Sequence, residues 1–314
     1  LITGITGFVG RHLTKRLLQD GVEVWGTTRG IYPNFNSNVH LIERFNFNLQ
    51  SILEILNNIR PDHIYHLAGQ SNVKNSWLNP FETFEANVLA TIHLLEAVRL
   101  SEIAQKVKVL TVGSSEEYGR VQISEMPIKE DTELRPISPY GISKATISML
   151  ARQYRETYKI NVVHVRPFNH IGPGQSLGFV TQDFAKQIVE IEKGLADPII
   201  YVGNLDAKRD FIDVRDVVDA YIMIMTKSDI CEYPGFIFNV CSAKPTQIKD
   251  ILYLLIDLSS KQIDVKISQH KLRPIDVEIY VGSNELIRKV IGWEPKIPLD
   301  QSLQDIISEW RNRL

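Results

Sequence analysis

The chain has 314 residues, 44% of them hydrophobic and 23% charged, with a formal net charge of −2. That length suits one two-lobed unit with ample core, and the near-neutral charge excludes the basic field of a nucleic-acid or anionic-membrane binder, so an anionic ligand must be met by a few placed Arg or Lys residues. No apolar run approaches the roughly 20 residues of a membrane span, and Cys231 and Cys241 make neither a disulfide framework nor a metal-ligand pattern, which fits a reducing, cytoplasmic setting.

The chain begins inside an apolar strand and without Met, so a few residues are expected before Leu1. The stretch Ile2-Thr3-Gly4-Ile5-Thr6-Gly7-Phe8-Val9-Gly10 reads as strand, glycine turn and helix start. Gly4 lets the backbone turn sharply, Gly7 lets a phosphate come close, and Gly10 lets the helix pack on the sheet. The helix predicted over 8–19 carries Phe8, Val9, Leu13, Leu17 and Leu18 on one face, and its N-terminus would face a pyrophosphate. The spacing G-x-x-G-x-x-G fits a dinucleotide turn and also an ordinary tight turn. Further strands are predicted at 22–27, 39–45, 62–67, 106–112 and 160–166, and helices at 50–59, 81–100 and 139–158. This alternation predicts an α/β fold: a Rossmann-type, doubly wound parallel sheet whose ligand crosses the carboxyl ends of the strands.

The residues just after each strand therefore matter most. Arg29 follows the second strand, where Arg suits a ribose 2′-phosphate and an acid suits a free hydroxyl; it favours NADP and leaves NADH open, and it also reads as a surface Arg. Asn46 and Phe47 follow the third, placed to meet an adenine. Leu67-Ala68-Gly69-Gln70-Ser71 follows the fourth, small enough for backbone to approach a cofactor, and equally an ordinary loop. Gly113-Ser114-Ser115-Glu116-Glu117 follows the fifth. After a polar loop comes Tyr140-Gly141-Ile142-Ser143-Lys144, opening a helix. Of the 11 tyrosines only Tyr140 has Lys four residues on, which puts both on one helical face. An ammonium there is expected to lower the phenol pKa, and a Ser hydroxyl can hydrogen-bond a reacting carbonyl. The eight histidines show no zinc pattern; His63 and His66 lack Cys or carboxylate partners, and His170 reads either as a cleft residue or as packing.

In the second half, 167–178 is a turn-rich bridge, followed by helices at 179–193, 214–226, 246–258, 284–291 and 299–313 and strands near 199–202 and 236–240. This predicts a smaller α/β lobe closing over the strand ends, with the NADP-binding domain at 1–168 and a substrate lobe at 169–314 that returns a strand to the first domain. Lys186, Arg209 and Arg273 are its candidate anion ligands.

Gly4-x-x-Gly7-Phe8-x-Gly10, the Ser114 loop and Tyr140-x-x-x-Lys144 together resemble the extended short-chain dehydrogenase/reductases that modify nucleotide sugars. So do Arg166-Pro-Phe-Asn-His-Ile-Gly-Pro-Gly-Gln175, Gly203-Asn-Leu-Asp-Ala-Lys-Arg-Asp-Phe211, Phe238-Asn-Val-Cys-Ser242 and Leu272-Arg-Pro274, and the likeness spans the whole chain. Within that family these stretches are most similar to the 4-keto reductases that form GDP-D-rhamnose. The resemblance implies Ser114, Tyr140 and Lys144 as catalytic residues, with Gly4, Thr6, Gly7, Phe8, Val9, Gly10, Arg29, Asn46, Phe47, Leu67, Ala68, Gln70, Tyr140, Lys144, Pro167 and Phe168 around NADPH. The family usually has Asp at the place of Asn46. The same resemblance sets Ser115, Asn169, Phe179, Val180, Lys186, Asn204, Arg209, Arg273 and Asp276 around a GDP-sugar, and implies no metal.

The implied reaction is reduction of GDP-4-keto-6-deoxy-D-mannose to GDP-D-rhamnose. A GDP-mannose 4,6-dehydratase is the runner-up, because Glu116 matches that enzyme's catalytic Glu; the segment 171–178 departs from the dehydratase pattern. A non-catalytic NADP-sensing protein is the third reading, although it would have no need of the Ser–Tyr–Lys set. The resemblance also implies a homodimer through helices 81–100 and 139–158, with Ile147, Met149 and Leu150 as candidate contacts.

Overall fold

The computed structural model describes residues 1–314 except Asn34, Cys231, Glu232, Pro234, Gly235 and 272–276. The expected substrate residues Arg273 and Asp276 therefore lie outside the described residues. Strands β1 (Ile2–Thr3), β2 (Val24–Thr27), β3 (Val39–Ile42), β4 (His63–His66), β5 (Lys108–Val112) and β6 (Asn161–Pro167) are joined by α1 (Phe8–Gln19), α2 (Leu49–Ile59), α3 (Val73–Leu78), α4 (Pro80–Phe84), α5 (Ala90–Leu100) and α6 (Pro139–Tyr158). The rest of the chain adds β7 (Asn169–Ile171), α7 (Val180–Glu192), β8 (Ile199–Val202), β9 (Lys208–Asp213), α8 (Val214–Thr226), β10 (Ile237–Val240), β11 (Pro245–Gln247), α9 (Ile248–Asp257), β12 (Asp264–Ile267), β13 (Ile279–Tyr280), α10 (Glu285–Ile291) and α11 (Leu299–Arg313).

Seven parallel strands form the main sheet in the order β10-β6-β5-β4-β1-β2-β3. Its strands are apolar because both faces are covered. On one face Leu13 and Leu17 of α1 and Val217, Tyr221 and Ile224 of α8 pack against Tyr65, Leu110 and Val163. On the other, Leu56 of α2, Leu94 and Val98 of α5 and Ala151 of α6 pack against Ile64, Val109 and Val162. Strand order reverses at β1, which pairs with both β2 and β4, so a crevice opens beyond their carboxyl ends.

The chain returns to this sheet late: β10 pairs with β6, and α8 lies against α1. The remaining lobe has β11 antiparallel and β13 and β7 parallel to β9, with β12 and β8 as a separate parallel pair. Its core is Phe184 and Ile188 of α7, Ile251 and Leu252 of α9, and Leu303, Ile306 and Trp310 of α11.

The helix expected over 81–100 is not continuous. Pro80–Phe84 leads into one π-helical turn, Glu85–Leu89, before α5 begins. The turn places Asn87 inward, almost fully buried, where it pairs with Gln70 and Ser143. The wider turn thus serves a buried polar side chain, as such turns often do near functional sites.

Candidate active site

Gly4 leaves β1 with φ +69°, and a Cβ there would lie 2.8 Å from the Cα of Ala68. Only glycine allows the turn after β1 and the loop after β4 to come so close. A Cβ on Gly10 would stand 2.7 Å from the carbonyl oxygen of Gly4, so helix α1 could not seat against the turn. At Gly7 an added Cβ meets only the Gly4 oxygen, at 3.2 Å. Gly7 is the N-cap of α1 and offers no side-chain cap to the first backbone N–H groups. The result is a glycine cradle under an uncapped, positive helix end, the geometry suited to a phosphate. Gly10→Ala is expected to weaken binding of NADPH at least about tenfold by pushing α1 off the turn and so distorting that cradle; fluorescence titration checks it, and unchanged affinity would remove the cradle from the site.

Thr6 Oγ1 lies 3.2 Å from Thr28 Oγ1, tying the turn to the end of β2. Phe8 stacks on His170 with centroids 6.0 Å apart, and Val9 packs on the core beside it. His170 is thus a packing partner of the turn, and burial lowers its pKa. Arg29 is exposed just past β2, and Asn46 is exposed past β3. Phe47 stacks on buried His66 at 5.6 Å. Leu67 and Ala68 follow β4, with the Ala68 N–H donating to Thr3 Oγ1 at 3.1 Å. The Gln70 side chain turns away toward α4, donating to the Asn72 oxygen and to Thr83 Oγ1.

Ser114 follows β5 and caps a single 3₁₀ turn, Ser115–Glu117. Its Oγ accepts the Glu116 N–H at 3.2 Å, while its own N–H donates to the Glu117 carboxylate at 3.0 Å. Helix α6 starts with Ser138 accepting the Gly141 N–H at 3.0 Å and with Pro139 in its first turn. That start fixes Tyr140 and Lys144 one turn apart, both buried. A Cβ on Gly141 would lie 2.5 Å from the Glu116 carbonyl oxygen, so this glycine lets α6 press on the Ser114 turn. The Ser114 side chain faces the Tyr140 phenol closely enough to pull its pKa down. Lys144 Nζ donates to the Val112 oxygen at 2.8 Å and lies 5.8 Å from the centre of the Tyr140 ring.

The electrostatics correct one expectation. The Tyr140 phenol is raised, not lowered: burial dominates, Ser114 opposes it, and Glu116 and Glu117 add to the rise. Burial also lowers Lys144 from 10.5 to about 8, against the pull of Glu117. Below that value the site holds a neutral phenol beside an ammonium, the pair required of a proton donor.

Pro167 ends β6, and the ring of Phe168 is buried with Tyr118, Ile128, Cys241 and Tyr280. Phe168 thus offers backbone rather than ring surface at the strand end. Asn169 is exposed, and Phe179 and Val180 are half-buried where α7 begins. Lys186 is ion-paired one turn along to Glu190. Asn204 Oδ1 accepts the Asp206 N–H at 2.9 Å. Arg209 donates to the oxygens of Lys208 and Val277, at 2.8 and 2.6 Å.

Three residues of the site escaped the sequence reading. Asn87 was hidden in an apolar helix. Glu117 was hidden beside Glu116. Tyr280 donates to the Ser115 carbonyl oxygen at 2.6 Å, pinning the small lobe to the Ser114 turn, and nothing local in its sequence signals that.

The GDP-mannose 4,6 dehydratase family matches residues 1–306. The GDP-6-deoxy-D-mannose reductase of Pseudomonas aeruginosa is 32% identical, covering 100% of this chain and 97% of its own length. A GDP-mannose 4,6-dehydratase of Vibrio cholerae is 31% identical, over 98% and 92% respectively. Among solved structures, RMD from Pseudomonas aeruginosa complexed with NADPH superposes with a TM-score of 0.85 at 30% identity, covering 100% of this chain and 99% of that one. The UDP-glucose 4-epimerase of Thermus thermophilus complexed with NAD gives 0.85 at 27% identity, again over 100% and 99%. The full-length match, on a doubly wound sheet with these glycine and Ser–Tyr–Lys geometries, places the chain in the GDP-mannose 4,6 dehydratase family.

Proposed function

We propose that this protein reduces the 4-keto group of GDP-4-keto-6-deoxy-D-mannose to GDP-D-rhamnose, using NADPH. The observation that carries the reading is buried Tyr140 with Lys144 one turn on, 5.8 Å from the centre of its ring, both set against the Ser114 turn at the end of β5. The full-length similarity to a GDP-6-deoxy-D-mannose reductase supports the substrate. When bound, NADPH supplies the hydride. Gly4, Gly7 and Gly10 would admit its phosphates, and Arg29, exposed just past β2, would meet a 2′-phosphate. Ser114 orients the keto oxygen. Tyr140 gives its phenolic proton to the alkoxide oxygen forming at the sugar C4, and the Lys144 ammonium stabilises the phenolate left behind. Phe179, Val180, Lys186, Asn204 and Arg209 lie on the lobe that would cover the GDP-sugar.

The test is NADPH absorbance with GDP-4-keto-6-deoxymannose and, in parallel, GDP-mannose. Stoichiometric loss of NADPH with the keto sugar alone is expected. Conversion of GDP-mannose without net loss would instead make the protein a dehydratase, the reading kept alive by half-buried Glu116 next to Ser114 and by the Vibrio cholerae relative. Glu116→Gln is expected to spare the reductase and would abolish a dehydratase.

The pH profile follows from Lys144. Its ammonium is the working form, and its value of about 8 lies below the usual 10.5. Turnover is therefore expected to hold below pH 8 and to fall as pH rises through it. A flat profile to pH 10 would take Lys144 out of the reaction.

We also assign the protein to a homodimer and to the cytoplasm. Trp77 of α3, Phe81 of α4, Leu89 of the π turn and Ile142 and Met149 of α6 are all exposed, on elements that touch one another. An apolar surface of that kind marks an interface. Of the three α6 residues expected there, only Met149 is exposed; Ile147 is buried and Leu150 packs on the core. Phe81→Asp with Met149→Arg is expected to halve the mass seen by light scattering, and an unchanged mass would move the interface elsewhere. No described helix is long and apolar enough to cross a membrane.

A further inference from the structure

Beneath the Ser114 turn lies a fully buried carboxylate that the reaction above does not use. Glu117 Oε1 accepts the Ser114 N–H at 3.0 Å and faces His164 Nε2 at 3.0 Å, while Oε2 accepts Arg166 Nε at 2.7 Å. His164 Nδ1 lies 2.9 Å from Thr111 Oγ1, and Arg166 Nη1 donates to Tyr118 Oη at 3.0 Å and to the Glu130 oxygen at 3.1 Å. Gly113 is part of this arrangement: a Cβ there would overlap both Glu117 Oε1 and His164 Nε2. The last residue before Ser114 is thus side-chain-free so that the carboxylate can sit directly under it.

The charges in this layer are unevenly matched. Lys144 and Arg166 are both buried cations, and Glu117 is the buried anion that acts on each of them. His66 faces Lys144 from β4 but burial drops its pKa to about 3, so it is neutral. Burial also lowers His164, which faces Lys144 from β6. Tyr140 and Tyr280 face Glu117 from α6 and β13 and are raised by burial, hence neutral, as is Tyr118 beside it. Glu130 lies near Arg166 and is raised by burial, and Glu116 is half-exposed at the mouth.

We propose that Glu117 is a positioning residue for the reduction: clamped by His164 and Arg166, its carboxylate fixes Ser114 through the backbone and sets a negative charge beneath the Lys144 ammonium. The inference rests on the roles given above to Ser114, Tyr140 and Lys144. It has two separable consequences. Without the charge, Lys144 and Arg166 lose the buried anion that acts on both; Arg166 cannot release its proton and Lys144 can. Without the length of the Glu side chain, the charge remains but the grip on the Ser114 N–H is lost.

The experiment compares wild type, Glu117→Gln and Glu117→Asp by kcat and KM across pH, and by NADPH fluorescence titration across pH. Glu117→Gln is expected to move the alkaline limb of kcat, and of NADPH binding, down by about one pH unit or more, a tenfold change in the Lys144 proton equilibrium. KM for the sugar should change little. Glu117→Asp is expected to keep the limb in place and to lower kcat about tenfold or more, the scale of a displaced hydrogen-bond donor. A folded Glu117→Gln variant with wild-type kcat and an unmoved limb overturns the inference. If that variant does not fold, Glu117→Asp decides: wild-type kcat overturns the inference, and a lowered kcat with the limb in place supports it. If wild type consumes no NADPH with the keto sugar, the proposed reaction has failed. The inference is then judged by the NADPH-binding limb alone, where no shift in Glu117→Gln, or a shift in Glu117→Asp, overturns it.

Discussion

Tyr140→Phe is expected to lower kcat by about 10²–10⁴-fold, the usual contribution of a positioned proton donor, while NADPH affinity stays near that of wild type. The substitution removes one oxygen and leaves the ring, which is buried at the start of α6. Nothing in the glycine cradle touches it. The phenol is held neutral by burial, so it carries its proton throughout the pH range in which Lys144 is charged. With the oxygen gone, the alkoxide forming at C4 must take its proton from water or remain on a partly desolvated oxygen. NADPH absorbance under saturating keto sugar measures the loss, and fluorescence titration measures the binding. Near-wild-type turnover would mean that another group donates the proton.

Arg166→Met should have the largest effect on stability. Arg166 and Glu117 are both buried, joined by a 2.7 Å hydrogen bond. Removing one partner of such a pair leaves an uncompensated charge in a low-dielectric interior, a loss of about 3–5 kcal/mol. Met preserves much of the aliphatic volume, so the change isolates the charge and its hydrogen bonds. Tyr118 and the Glu130 carbonyl lose a donor at the same time. Urea unfolding of both proteins gives the difference directly. A loss below about 1 kcal/mol, the size of an exposed pair, would show that Glu117 finds compensation elsewhere.

What the sequence revealed and what it hid divide along the length of the interactions involved. Helices α1, α6, α8 and α11 fall where their apolar period and end signals place them, because Ser138, Pro139 and the flanking turns act locally. The same local start brings Tyr140 and Lys144 together, and the alternation of strands and helices is enough for the parallel sheet. The short strands β7, β9, β11 and β13 were not legible. Each is six residues or fewer and exists through pairing with strands far along the chain. Glu117 carries no signal of its own beside Glu116, because its burial is decided by His164 and Arg166, 47 and 49 residues later. The phenol pKa was misjudged for a related reason: Lys144 was visible four residues away, whereas the burial that outweighs it belongs to the assembled fold. Lys186 was read as a candidate anion ligand although Glu190, its ion-pair partner, stands at the helical i+4 position in plain sight.

The late return of β10 to the edge of the main sheet bears on how the chain is made. On the ribosome, β6 is complete once Pro167 has emerged, yet the strand that covers its outer edge spans Ile237–Val240. Throughout that interval β6 presents bare backbone donors and acceptors, and until Val214–Thr226 emerges the apolar surface beside it also lacks α8. Such an edge invites pairing with another nascent chain. Polysomes carrying many growing copies are therefore the setting in which this protein is most exposed to misassembly, and a fragment ending at residue 168 should precipitate where the full chain does not.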